Sequence, residues 1–146
     1  DVVAEAMADA PWQTIVSVGA DLLPAPPPGV VRVDRVPQLE LLPHLHAVVT
    51  HGGHNTVCEA LLHGLPLVVT PIRDDQPVVA QQVAAAGAGL RLSFGRLRAP
   101  ELREAVARVL DEPGFREAAG RIAASFRAAG GAAAAAGRLE ALTVAR

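Results

Sequence analysis

At 146 residues, 51% of them hydrophobic, the chain has the length and apolar content of one domain with a sizeable core. A net charge of −2 and the lack of any basic run exclude electrostatic capture of nucleic acid or of an anionic membrane surface. No uncharged apolar run is long enough for stable membrane insertion, and the lone cysteine, Cys58, rules out an internal disulfide and fits a reducing, cytoplasmic setting.

In chain order, residues 2–10 read as a helix, with Val2, Val3, Ala6, Met7 and Ala10 at three-and-four spacing before Pro11. Residues 12–18 read as a strand. Four prolines between Pro24 and Gly29 force an extended surface loop, and Val30 to Val33 forms the next strand. In the connection that follows, Asp34 and Arg35 are candidates to pair with one another. A short helix then covers Leu39 to Leu42. Because the chain opens inside a helix with no strand ahead of it, it is expected to lack the first strand of its domain. Of its thirteen basic residues none is lysine, which reads as a high-GC bacterial coding bias.

Residues 47–50, Ala-Val-Val-Thr, read as a buried strand that runs into His51-Gly52-Gly53-His54-Asn55-Thr56. Glycine lets backbone amides approach a ligand with no Cβ in the way, and the helix expected over Asn55 to Leu62 turns the positive end of its dipole toward the same spot. Strand, glycine turn and helix start together make an anion site, suited to phosphate, with Asn55 and Thr56 as further donors. Glu59, one turn deeper on the same face, can accept hydrogen bonds from ribose hydroxyls. His51 is read as a phosphate contact rather than a plain anchor of the helix. His54 is left open between substrate contact and an exposed helix start.

Gly64 caps that helix, and residues 66–70 form an apolar strand. Asp74, Asp75 and Gln76 follow at its carboxyl end, where open α/β sheets bind ligands, and their acceptors and donors suit a polyhydroxylated group. A helix over residues 77–86 ends at Gly87, a last strand covers residues 90–92, and helices are expected over residues 100–110, 114–129 and 132–144, the last two separated by Gly130-Gly131. Strands alternating with helices predict an α/β domain, a Rossmann-like parallel sheet with helices on both faces. Cys58 reads as a small buried hydrophobe, His44, His46 and His63 as structural, and no zinc spacing is present, so no metal is expected.

The run from Val36-Pro37-Gln38 through His51 to Thr56, Glu59, residues 64–66 and Asp75-Gln76 resembles the nucleotide-sugar signature of GT-B glycosyltransferases, nearest the branch of UDP-glycosyltransferases and bacterial natural-product glycosyltransferases. The resemblance implies the C-terminal half of a GT-B fold, with an N-terminal acceptor domain absent from these residues. It implies that Gln38 lies beside the base, with Arg35 and Val36 next to it. Arg35 stands where many relatives carry a stacking tryptophan, and His54 where plant members carry tryptophan. It further implies that His51 and Gly53 meet the diphosphate, Asn55 and Thr56 hold phosphate, Glu59 holds ribose, and Asp75-Gln76 holds the sugar.

The implied activity is transfer of a sugar, with inversion, from a UDP- or dTDP-sugar to an acceptor hydroxyl of a small natural product. His51 stabilises the leaving diphosphate and the general base belongs to the acceptor domain. The nucleotide sugar is a substrate, and no cofactor is called for. A sugar-nucleotide 2-epimerase of the same fold and a catalytically silent partner of a true transferase are the alternatives, and a homodimer is left open.

Overall fold

A computed structural model describes residues 2–144. The five strands, β1 (Thr14–Ser17), β2 (Val30–Val33), β3 (Val48–Thr50), β4 (Leu67–Val69) and β5 (Gly89–Arg91), all pair in parallel, as the alternation of strands and helices requires. Among the described residues seven α-helices precede, connect and follow them: α1 (Val2–Met7), α2 (Gln38–Leu41), α3 (His54–Leu62), α4 (Gln76–Ala85), α5 (Ala99–Asp111), α6 (Pro113–Ala128) and α7 (Gly131–Val144).

Two hydrophobic clusters lie on opposite faces of the sheet layer. On one face Val57, Ala60 and Leu61 of α3, Val79, Ala80 and Val83 of α4, and Ala118 and Ala119 of α6 close over Leu67 and Val69. On the other, Ala6 and Met7 of α1 and Leu102, Ala105, Val106 and Val109 of α5 pack on Val30 and Val68. Alternate residues of β4 thus feed alternate faces, and all three are fully buried, so this strand is the centre of the domain. The amphipathic α5 is set by its sequence: Pro100 lies in the first turn, Glu101 stands near the positive end of the dipole and Arg108 near the negative end. Arg108 also donates to Glu112 at 2.7 Å, which holds the Glu112 carboxyl below the ordinary carboxylate range.

The expected elements are present, with differences at their ends. The first helix stops at Met7 rather than Ala10, because Asp9 enters the left-handed region at φ 53°. The first strand is four residues long, not seven. The last strand begins one residue early, at Gly89. There a Cβ would overlap the Leu67 carbonyl oxygen, so only glycine lets the two backbones pair. Helices α3 and α4 each start one residue before the expected position, which makes Gln76 a helical residue rather than a loop residue.

The expected single sheet is observed as two pieces, β1-β2 and β3-β4-β5. Correspondingly β3 is an edge strand and not buried: Val49 is 43% exposed, and Ile15 and Val31, which lie opposite one another in register, are 38% and 42% exposed. No helix among the described residues is long and apolar enough to cross a membrane.

Candidate nucleotide-sugar site

The carboxyl ends of β3 and β4 open onto the same side of the domain. Beyond Thr50 the chain turns at Gly52, whose φ of +92° is open to glycine and strained for other residues. The turn is held by its own strand: the Gly52 amide donates to Thr50 Oγ1 at 3.3 Å. Gly53 then takes the N-cap position of α3 and its carbonyl accepts from the Val57 amide at 3.1 Å, but no side chain caps the helix. The amides of Gly53, His54, Asn55 and Thr56 consequently have no acceptor among the described residues. These are the orphan donors of a helix start, and they stand at the positive end of the α3 dipole.

Around this turn the remaining candidates fall into two groups. His51 is exposed, and its imidazole lies over Gly53, where Nε2 would be 2.9 Å from a Cβ. His54, also exposed, leans along the helix so that Nε2 comes within 3.5 Å of Cys58 Sγ. Burial first, and then the Glu59 carboxylate beside it, push the Cys58 thiol above its ordinary value, so it is held as the neutral thiol. Glu59 is half-buried one turn along α3 and accepts a hydrogen bond from Gln38 Nε2 at 2.5 Å, which brings the start of α2 to the flank of α3. Arg35 is exposed and Val36 half-buried in the connection before Gln38. The expected Asp34–Arg35 pair does not form; Asp34 pairs with Arg32.

The second group is the loop after β4. Gln76 sits directly behind the glycine turn, its carbonyl oxygen 3.4 Å from where a Gly52 Cβ would be. Its side chain is already at work in the loop: Oε1 accepts from the amides of Ile72 at 2.9 Å and Arg73 at 3.2 Å. Its amide Nε2 has no acceptor among the described residues. Asp75 is exposed at the N-cap of α4, and Asp74, at φ 56°, pairs with Arg73 on the surface. The structure thus places the anion-suited turn and the Asp75-Gln76 pair side by side, though they are more than twenty residues apart in sequence.

Two features escape a reading of the sequence. One is Thr50, whose hydroxyl fixes the glycine turn; a hydroxyl residue ending a strand two positions before Gly52 is the available signal. The other is an open cleft of about 520 Å³ at the ends of β4 and β5, walled by Pro71, Ile72, Leu92, Phe94 and Arg96. Phe94, one of only three phenylalanines and followed by Gly95 in a short turn, is its trace in the sequence. Among the described residues no His, Cys, Asp and Glu group is arranged to hold a metal ion.

Comparison with known proteins shows the family and the fold. The family described as the erythromycin biosynthesis protein CIII-like C-terminal domain matches residues 5–142. The chain is 44% identical over 115 residues to 4'-demethylrebeccamycin synthase of Lentzea aerocolonigenes, covering 78% of this chain and 27% of that protein. It superimposes on the calicheamicin glycosyltransferase CalG4 with a TM-score of 0.88 at 32% identity, over 96% of this chain and 36% of that one. On the glycosyltransferase VinC in complex with dTDP the TM-score is 0.81 at 32% identity, over 86% of this chain and 33% of that one. The chain therefore spans about a third of the length of the proteins it matches.

Proposed function

Because this chain belongs to the erythromycin biosynthesis protein CIII-like C-terminal family of GT-B glycosyltransferases, we propose that it is the donor-binding domain of an inverting enzyme that acts on a UDP- or dTDP-sugar. The observation that carries the reading is the uncapped start of α3, where four adjacent amides have no acceptor among the described residues. A diphosphate meets those donors, and Glu59 on the same helix face receives the pentose. The sugar then extends toward Asp75 and Gln76, whose Nε2 has no acceptor among the described residues and can donate to it.

In the reaction the acceptor oxygen forms a bond to the anomeric carbon as the bond from that carbon to the phosphate oxygen breaks. The electron pair leaves with the diphosphate, and the acceptor proton passes to a base in the acceptor domain. Charge grows on the leaving group where the α3 amides and His51 already point, which is stabilisation by preorganised donors, and no metal is required for it. The acceptor, a hydroxyl of a small natural product, is held by the other domain. The sequence-level epimerase alternative gains no support from the relatives.

The divided sheet supports the reading that a further strand belongs between its two pieces. The amides of Thr14 and Val18 point to the β2 side and that of Val48 to β4, so by alternation Ile15, Ser17 and Val49 present theirs to the gap between β1 and β3. One further parallel strand in that gap joins the two pieces and lies beside the exposed Ile15 and Val49.

Calorimetric titration tests the donor site. The chain binds UDP, and Glu59→Ala weakens it about tenfold, the loss of a charge-assisted hydrogen bond. Equal affinity in the two proteins refutes the assignment of Glu59 to the pentose.

A further inference from the structure

The two glycines of the turn are there for different reasons. Gly52 needs its φ of +92°, whereas Gly53, at φ −57° and ψ 129°, has a backbone conformation open to every L residue. Helix N-caps favour Ser, Thr, Asp and Asn, so neither conformation nor capping calls for glycine at the second position. Space does. The three atoms nearest to a Cβ at Gly53, its chain neighbours aside, all belong to the His51 ring: Nε2 at 2.9 Å, Cε1 at 3.6 Å and Cδ2 at 3.8 Å. The first of these is closer than a Cβ tolerates, and because His51 is exposed, the ring gives way and the main chain does not.

We propose that Gly53 is a positioning residue that acts through His51: its bare Cα seats the imidazole. The seat lies at the Gly53 amide, the first of the four amides with no acceptor among the described residues, so ring and amides meet one diphosphate together. A side chain at Gly53 removes the imidazole from that cluster and leaves the amides in place. The inference rests on the donor-site reading above and adds to it which residue sets the place of the histidine.

Calorimetric titration of UDP into the parent chain, Gly53→Ala, His51→Ala and the double variant closes a cycle that isolates the coupling of the two residues. Each single change weakens UDP about tenfold, and the double variant binds as His51→Ala does, because a Cβ costs nothing once the ring is gone. In proton NMR, the ring signal identified by its loss in His51→Ala shifts when UDP is added to the parent and stays still in Gly53→Ala. The denaturation midpoint of Gly53→Ala matches that of the parent. The proposal is overturned if Gly53→Ala fails to fold, if either single variant binds UDP as tightly as the parent, or if the ring signal still moves in Gly53→Ala. A double variant about tenfold weaker than His51→Ala overturns it too, since the Cβ then obstructs the diphosphate itself. Absence of UDP binding by the parent at millimolar concentration instead overturns the donor-site reading, and this inference falls with it.

Discussion

Gly52 lies so close to Val69 that no side chain fits between them: a Cβ on Gly52 would stand 2.8 Å from Val69 Cγ1 and 3.4 Å from the Gln76 carbonyl oxygen. The turn that exposes the α3 amides is therefore pressed against the fully buried last residue of β4, and its shape is fixed by the core. Gly52→Ala adds both a clash and a positive-φ strain, and we expect a loss of about 2–4 kcal/mol by chemical denaturation together with loss of UDP binding. Gly89→Ala, whose Cβ would run into a main-chain oxygen, should leave no soluble chain at all. A Gly52→Ala protein that melts and binds as the parent does would show that the turn is not held by this contact.

Gln76 has one role in the fold that is separable from any contact with sugar. Its Oε1 satisfies two loop amides, and glutamate carries an oxygen in the same place. Gln76→Ala should destabilise the domain by about 1–2 kcal/mol, the cost of two donors losing their partner at a half-exposed site. Gln76→Glu should stay within about 0.5 kcal/mol of the parent, because the acceptor is kept, while removing the amide donor. Thermal melts compare the two, and equal stability of the alanine and glutamate variants would dismiss the loop-holding role.

Cys58 reports on its surroundings through pH. Burial and the neighbouring Glu59 raise its thiol, so the fold favours the protonated form. Labelling by Ellman's reagent should be slower than that of glutathione at neutral pH and should accelerate in alkaline buffer. The sign for stability follows: between the ordinary thiol value and the raised one, the unfolded chain has lost its proton and the folded chain keeps it. Stability contributed by Cys58 is thus complete below the ordinary value and declines as pH rises through that window. Rapid labelling in neutral buffer, matching a free thiol, would contradict an upward shift of this group.

The far end of α3 is tied down from a distance. Arg127 Nη2 of α6 donates to the Leu62 carbonyl at 3.0 Å, one of the acceptors a helix leaves unpaired at its last turn. Arg127→Ala should cost about 1 kcal/mol, or roughly 3 °C in melting temperature for a chain of this length, and leave UDP affinity unchanged. A calorimetric scan showing no shift would mean that solvent replaces the arginine without loss.

Periodic signals are the most legible part of the sequence. The three fully buried residues of β4, the amphipathic α5 and the glycine turn before α3 all follow from local pattern, since each is dictated by spacing or by glycine's freedom. The grouping of Gln38 with Glu59 and of Gly52 with Gln76 is not legible from spacing, because both contacts cross between elements brought together by the sheet; only the family resemblance places them in one site. Residues 47–50 read as buried and are not, for a related reason. Small branched residues suit a central strand and an edge strand alike, and which of the two they become depends on neighbours outside the window. The Gly89 start of β5 is hidden because glycine is ordinarily a strand breaker, whereas here the Leu67 carbonyl demands it.

The interrupted sheet carries a practical consequence. Two bare main-chain flanks, beside β1 and beside β3, are templates onto which a second molecule can lay a strand. Purified by itself at high concentration, the domain should self-associate through those flanks, and light scattering should show oligomers that a charged substitution at Val49 suppresses.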